Sequence, residues 1–181
     1  ANQLVALPGL QEDLLRFAIA SYGGELFLRS SSPGQEDEYG YRVFTAWLEL
    51  LSRTPQGWEE AVLRAGEVRI LALRGVLPPA TACGICGMSV PVPGEKTYMK
   101  LPELAMLCEE CSASVARLEP VKPGVLELLI RAAEGSLIRG AVSPPERENL
   151  RGAGVFLRLA SEAFLGSPLK SASFLDSLLD D

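Results

Sequence analysis

The chain has no histidine among its 181 residues. Ser-His-Asp and Cys-His nucleophilic pairs need an imidazole to carry the proton, so both are excluded. Catalytic zinc sites that combine histidine with an open position are excluded on the same ground. A GxxxxGK[ST] phosphate loop is missing, as is a GxGxxG motif after a strand; "GICGMS" has the small residues and neither pattern. No apolar run is long enough to span a bilayer, "VLELLI" being among the longest. No basic-then-apolar leader opens the chain, so export is not expected. Excess positive charge is absent too. Seventeen Lys and Arg face 23 Asp and Glu, a net of −6, and any contact with nucleic acid must be local. The length allows one or two domains with a sizeable core.

Against these absences, all four cysteines fall in one segment, "ATACGICGMSVPVPGEKTYMKLPELAMLCEECSAS", residues 80–114. Cys83 and Cys86 form one Cys-x-x-Cys pair, and Cys108 and Cys111 form another. Two residues between thiols let a tight turn aim both sulfurs at one point, and a second such turn completes a tetrahedron around Zn²⁺. Gly87 follows the second cysteine, where the chain must turn so that backbone N–H groups reach the sulfurs. Four protein ligands leave no place for substrate, so the expected role of one bound Zn²⁺ is structural. Two disulfides would suit an oxidising compartment, of which there is no sign. A thioredoxin-like redox pair would use one Cys-x-x-Cys in a βαβ context, and four buried thiols acting as apolar residues would not explain the paired spacing. Between the pairs, "SVPVPGEKTYMKL" reads as a short hairpin or ribbon arm with a Gly-Glu turn.

The flanks read as helix. Within residues 10–30, Leu14, Leu15, Ala18 and Tyr22 have helical spacing, with Gly23 and Gly24 marking close helix packing or a break. "SSSPGQEDEYG" reads as a loop and an acidic helix start. From about Glu38 to Ser52, Phe44, Trp47, Leu48 and Leu51 recur at helical intervals. A third helix after "TPQG" carries Trp58, Val62, Ala65, Ile70 and Leu73 until "GVLPP" stops it. Both tryptophans are expected to pack in the core. Downstream, "KPGVLELLIRAAEG" is a short helix ending at a glycine. "SPPERENLRGAGVFLRLASEAFLG" is expected to start at Ser143 as N-cap and to stop at Gly166, and "SPLKSASFLDSLLDD" forms a last short helix with an acidic end. The expected fold is mainly α: a helical bundle with an inserted four-cysteine zinc finger. Its divisions are a helical region (1–79), a zinc-binding module (80–114), and C-terminal helices (115–181) packed with the first region.

Several patches carry a family resemblance. "VRILALRGVLPPATACGICG" resembles the entry of RecO-family recombination mediators into their zinc module. "LLRFAIASYGGELF" is similar to that family's Ala-x-Tyr-x-x-Glu-Leu helix, and "FLGSPLKSASFLDSL" to its C-terminal Leu-Gly-x-x-Leu-Lys-Ser-x-x-Phe-Leu. These patches and the cysteines stand in family order across residues 10–178. The resemblance implies a nonenzymatic role in DNA repair and recombination. Such proteins bind RecR and the C-terminal tail of SSB, anneal strands, and help RecA replace SSB on single-stranded DNA, in the bacterial cytoplasm at the nucleoid. The family carries an OB-fold barrel ahead of the helices; none is expected before Leu10, so single-stranded DNA binding by this portion is expected to be weak.

Charge is unevenly spread. Residues 112–171 carry eight basic and six acidic side chains, a net of +2, while the first 82 carry seven and ten, a net of −3. Arg147, Arg151 and Arg158 fall within about 40° of one another on a helix, a basic stripe. The stripe reads either as a solvated face with Glu148 and Glu162 as partial counterions, or as a contact for phosphates or the acidic SSB tail. Lys170 has the same two readings. An alternative to the mediator is an unrelated structural zinc-knuckle adapter or transcription-associated protein. A redox enzyme using one Cys-x-x-Cys is a third.

Overall fold

The computed structural model describes residues 7–180 apart from 33, 35, 78, 79, 92–94 and 102. Eight helices and three short strands follow in order: α1 (Pro8–Gln11), α2 (Leu14–Ser30), α3 (Glu38–Arg53), α4 (Glu59–Leu73), β1 (Thr97–Lys100), β2 (Ala105–Leu107), α5 (Glu109–Ser112), β3 (Leu118–Val121), α6 (Pro123–Glu134), α7 (Arg147–Leu165) and α8 (Ala172–Leu179). The architecture is the expected one, mainly helical with an inserted four-cysteine module. No helix among the described residues is long and apolar enough to cross a membrane.

Helix α4 is the centre, packed by α2, α3, α6 and α7. Apolar residues lie all round it, and Ala61, Val62, Leu63, Val68, Ile70 and Leu71 are buried. Trp47 of α3 packs against it as expected of a core tryptophan, with its indole N–H donating to the Val62 carbonyl at 2.8 Å. The ring fits because two helices offer no side chain there. A Cβ on Gly23 or on Gly66 would stand 2.3 Å from its atoms. Gly23 therefore marks close packing, and α2 runs through it unbroken. Two arginines clip the ends of this layer. Arg16 donates to the carbonyls of Ser52 and Thr54 and pairs with Glu59, joining α2 to α3 and α4. Arg74 pairs with Asp37, bonds Ser30 and Ser31, and lies 5.3 Å from the Phe27 ring centre.

Helix ends follow local chemistry. Asp37 accepts from the Gly40 N–H at 2.8 Å and so caps α3. Gly75, Gly135 and Gly166 all adopt positive φ just past helix ends, where a side chain would be strained. Gly75 stops α4 two residues before "LPP", whose prolines lie outside the described residues, as does Gly94 of the expected Gly-Glu turn.

Two expectations need correction. Ser143 is not an N-cap: α7 begins at Arg147 with Glu146 in the cap position. Pro145 disfavours the helical region for Pro144, and "SPP" stays outside the helix. Leu118–Val121, read as part of the C-terminal helices, is instead a strand. It pairs antiparallel with β1, giving the sheet order β2-β1-β3, with Met99 opposite Glu119 on one side and Met106 on the other. The hairpin between the cysteine pairs thus joins β1 to β2 and gains a third strand from beyond the second pair.

The Trp47 pocket gives a direct test. Gly66→Ala improves helix propensity by about 1 kcal/mol, yet its methyl group must displace the indole at a cost of about 1–3 kcal/mol. A lower urea midpoint is expected; a raised one would show that Trp47 moves aside freely.

Candidate metal centre and partner-binding face

The four cysteines come together as their spacing predicts. Their sulfurs all lie within 4.8 Å of one another, and the Sγ atoms of Cys86 and Cys108 are 3.9 Å apart. That separation is far beyond a disulfide and close to the edge of about 3.8 Å of a tetrahedron with Zn–S distances near 2.3 Å. All four are free thiols; Cys83 and Cys108 are buried and Cys86 is exposed.

Each pair is shaped by its turn. Gly87 has φ of 73° and its N–H donates to the Cys83 carbonyl at 2.9 Å, closing the first knuckle. The Cys83 N–H donates to the Met88 carbonyl, beside an isolated bridge between Ala82 and Ser89. The Gly84 N–H donates to the Met106 carbonyl at 2.8 Å and docks this knuckle on β2. Cys108 sits in the N-cap position of α5, and Cys111 lies within that helix.

The surroundings favour thiolates unequally. Burial raises the pKa of Cys83, but N–H groups of Cys86, Cys108 and Ile85 outweigh it and bring the thiol down to about 6. Cys111 is pushed up to about 12, chiefly by the Cys108 sulfur beside it and then by burial. Such a cluster cannot hold four thiolates without a cation at its centre, and with one it is a fitting donor set for Zn²⁺. Any bound ion must displace protons, so acid releases it.

The basic stripe is also assembled, but its arginines are already engaged. Arg147 donates to the Leu179 carbonyl. Arg151 reaches the same carbonyl at 3.3 Å and Asp180 at 3.4 Å. Arg158 chelates both carboxylate oxygens of Asp176. The counterions are therefore on α8. Glu148 pairs with Lys122, whose hydrogen bond and charge lower its pKa. Lys170 is not part of the stripe; it is exposed on the α7–α8 connection, with its backbone N–H bonded to Glu25.

Sequence reasoning missed the groups beneath this face. Arg64 is buried, pairing with Glu67 at 2.7 Å and Glu60 at 3.1 Å, with its Nε donating to the Leu150 carbonyl. The Tyr22 hydroxyl donates to Glu67 at 2.8 Å, and burial, then Glu67, raise the phenol far above its usual range. The signal was the placement of Glu60, Arg64 and Glu67 at helical spacing on a helix whose apolar residues fall on all its sides. Arg64 and Glu60 border a cleft of about 440 Å³ between α4, α7 and α8, together with Arg151, Val155, Arg158 and Leu159.

Fold and site together define a helical domain with an inserted four-cysteine module that could hold a metal ion. The family described as "Recombination protein O C terminal" matches residues 11–173, and the chain belongs to that family. The chain is 31 % identical over 169 residues to the DNA repair protein RecO of Anaeromyxobacter sp. (strain K), covering 93 % of this chain and 65 % of that protein. It is 30 % identical over 170 residues to the RecO of Symbiobacterium thermophilum, covering 93 % and 66 %. To that of Desulforamulus reducens it is 27 % identical over 172 residues, covering 93 % and 64 %. The chain thus spans about two-thirds of the length of these relatives.

Titration of metal-free, reduced protein with Co²⁺ is expected to saturate at one ion per chain, with the intense thiolate-to-cobalt bands of a tetrahedral four-sulfur site. Cys108→Ser should weaken the bands and accelerate hydrogen exchange across residues 80–121 before the α2–α4 layer. Acceleration to the same degree everywhere would show that the module and the helical layer are not separable.

Proposed function

We propose that this chain is the zinc-holding helical portion of a RecO-type DNA repair and recombination mediator. It works as a nonenzymatic adapter that helps load RecA on SSB-coated single-stranded DNA and supports strand annealing. The observation that carries this reading is the family match over residues 11–173, four sulfurs included. Zinc, one ion per chain, held by Cys83, Cys86, Cys108 and Cys111, staples the sheet and takes no part in chemistry. Metal analysis of protein purified without chelator is expected to find that single ion. None of these tasks needs a catalytic residue, which agrees with the missing histidine. The partners are RecR and the SSB tail, with single-stranded DNA held weakly through this portion, in the cytoplasm at the nucleoid.

The reading assigns the SSB tail to the α7 face. A short acidic peptide ending in an apolar residue and a carboxylate needs an apolar recess with cations on its rim. The cleft beside α7 offers Val155, 60 % exposed, and Leu159, with Arg151 and Arg158 above them. Arg147 and Lys170 extend the positive charge along α7 and its C-terminal connection. A second location is favoured by one observation. A groove of about 600 Å³ crosses α4 between α3 and α6, walled by Val43, Leu50, Ala65 and Ile138, and its rim arginines Arg69 and Arg139 carry no ion pair among the described residues.

Binding of a labelled peptide of this chemistry separates the two. Arg151→Glu is expected to weaken it by about tenfold or more, with zinc content and fold unchanged. Loss on Arg69→Glu instead moves the site to the groove, and no effect of either removes the peptide from both.

A further inference from the structure

We propose that the acidic last turn of α8 is the resident occupant of the α7 arginine face, and that an acidic, apolar-ended peptide docks by displacing it. This rests on the reading of the α7 face as the partner site and adds its regulation. All three stripe arginines are already engaged, and every partner they use lies in α8 or its C-cap: Asp176, the Leu179 carbonyl and Asp180. That turn has the chemistry of the ligand it would exclude. The sequence from Leu178 reads "LLDD", apolar side chains followed by carboxylates. Glu60 and Glu162 also border the cleft, so with α8 in place its three basic groups, Arg64, Arg151 and Arg158, meet four acids, Asp176 and Asp180 included.

The two ends of α8 are held by different forces. At its start, Ala172 and Leu175 are buried. The Glu25 carboxylate accepts from the N–H groups of Lys170 and Ser171 and from the Ser171 hydroxyl, all within 2.9 Å. Arg29 ties the preceding residues to α2 through Ser167 and the Pro168 carbonyl. At its end Leu178 and Leu179 are only partly buried against the core, and the charged contacts face solvent: the Asp180 side chain is 78 % exposed and that of Arg151 48 %. Exposed ion pairs are individually weak and screened by salt, whereas buried apolar anchors are neither. The last turn can therefore lift while the first stays docked. A covalently attached competitor reduces the apparent affinity of any external ligand by the fraction of time it occupies the site.

The test neutralises the occupant and leaves the face intact. Asp176→Asn combined with Asp180→Asn keeps side-chain shape and does not touch Leu175. In the full chain, hydrogen exchange over residues 176–180 is expected to accelerate about tenfold. Binding of a labelled peptide of several aspartates ending in an apolar residue is expected to tighten about fivefold or more, a gain that Arg151→Glu added to the same chain cancels. Faster exchange with unchanged affinity overturns the proposal and leaves the peptide site standing, as does unchanged exchange. Binding to neither protein overturns the proposal and the partner-site reading together. Thermal melts check folding; if the double variant unfolds, Asp180→Asn alone carries the same comparison.

Discussion

Arg64 extends from the central helix α4 into the packed layer against α7, its side chain only 5 % exposed, and the arrangement of the surrounding helices follows from what it requires. Glu67 and Glu60 neutralise it from the same helix, and Leu150 of α7 offers a carbonyl. Tyr22 of α2 then satisfies the remaining oxygen of Glu67. Three helices are thus held in register by one polar group. The approach of α7 is possible because Gly154 faces the guanidinium: a Cβ there would stand 2.5 Å from its central carbon. Removing one partner of such a group leaves an uncompensated buried charge, at a cost of about 3–5 kcal/mol. The α7 face is rigidly placed for this reason, since its inner side is fixed by the same network that borders the cleft.

The metal module depends on a different constraint. Three strands of three or four residues cannot persist alone in water. The sheet instead rests on the helical layer through Met99, Leu104 and Met106, which with Val68 of α4 and Leu129 of α6 enclose a recess of about 230 Å³. The knuckles hold its other side. Because β3 runs into Lys122 and Pro123 at the start of α6, order imposed by a metal on the strands reaches the helical body along the chain. A four-sulfur site in this position acts on the angle at which α6 begins as well as on the module itself.

How much of this was legible in the sequence depended on how far apart the interacting residues lie. The cysteine cluster was fully legible, because two residues between thiols fix the local turn whatever the rest of the chain does. The helices were legible from periodicity, and Gly166 and Gly135 as stops from their freedom at positive φ. Strand β3 was not: "LEPV" has no alternation and contains a proline. Glu60, Arg64 and Glu67 look like ordinary surface pairs at helical spacing, and only the packing of four other helices around α4 makes them a buried network. The stripe on α7 was read correctly as a face, but its counterions were assigned to neighbours on the same helix. Asp176 and Asp180 come from 18 and 29 residues away, brought round by the turn at Gly166.

That turn explains how an acidic chain can keep a basic face without binding anions indiscriminately. Arginine stays charged at any accessible pH, so the face cannot be silenced by titrating it; it can only be covered. Partial burial raises the pKa of Glu25, but its bonds to Ser171, Lys170 and Arg29 outweigh this and hold it down to about 2. A carboxylate lowered in the folded state stabilises above its ordinary pKa and loses that contribution as pH falls toward the folded value. The clamp on the start of α8 therefore stays complete at neutral pH and weakens as pH falls from about 4.5 toward about 2. Salt leaves that partly buried clamp largely intact and screens the exposed pairs at the other end. A ligand that brings both carboxylates and an apolar group replaces everything the last turn supplies. A bare polyanion replaces only the charge, and the face so covered discriminates between the two.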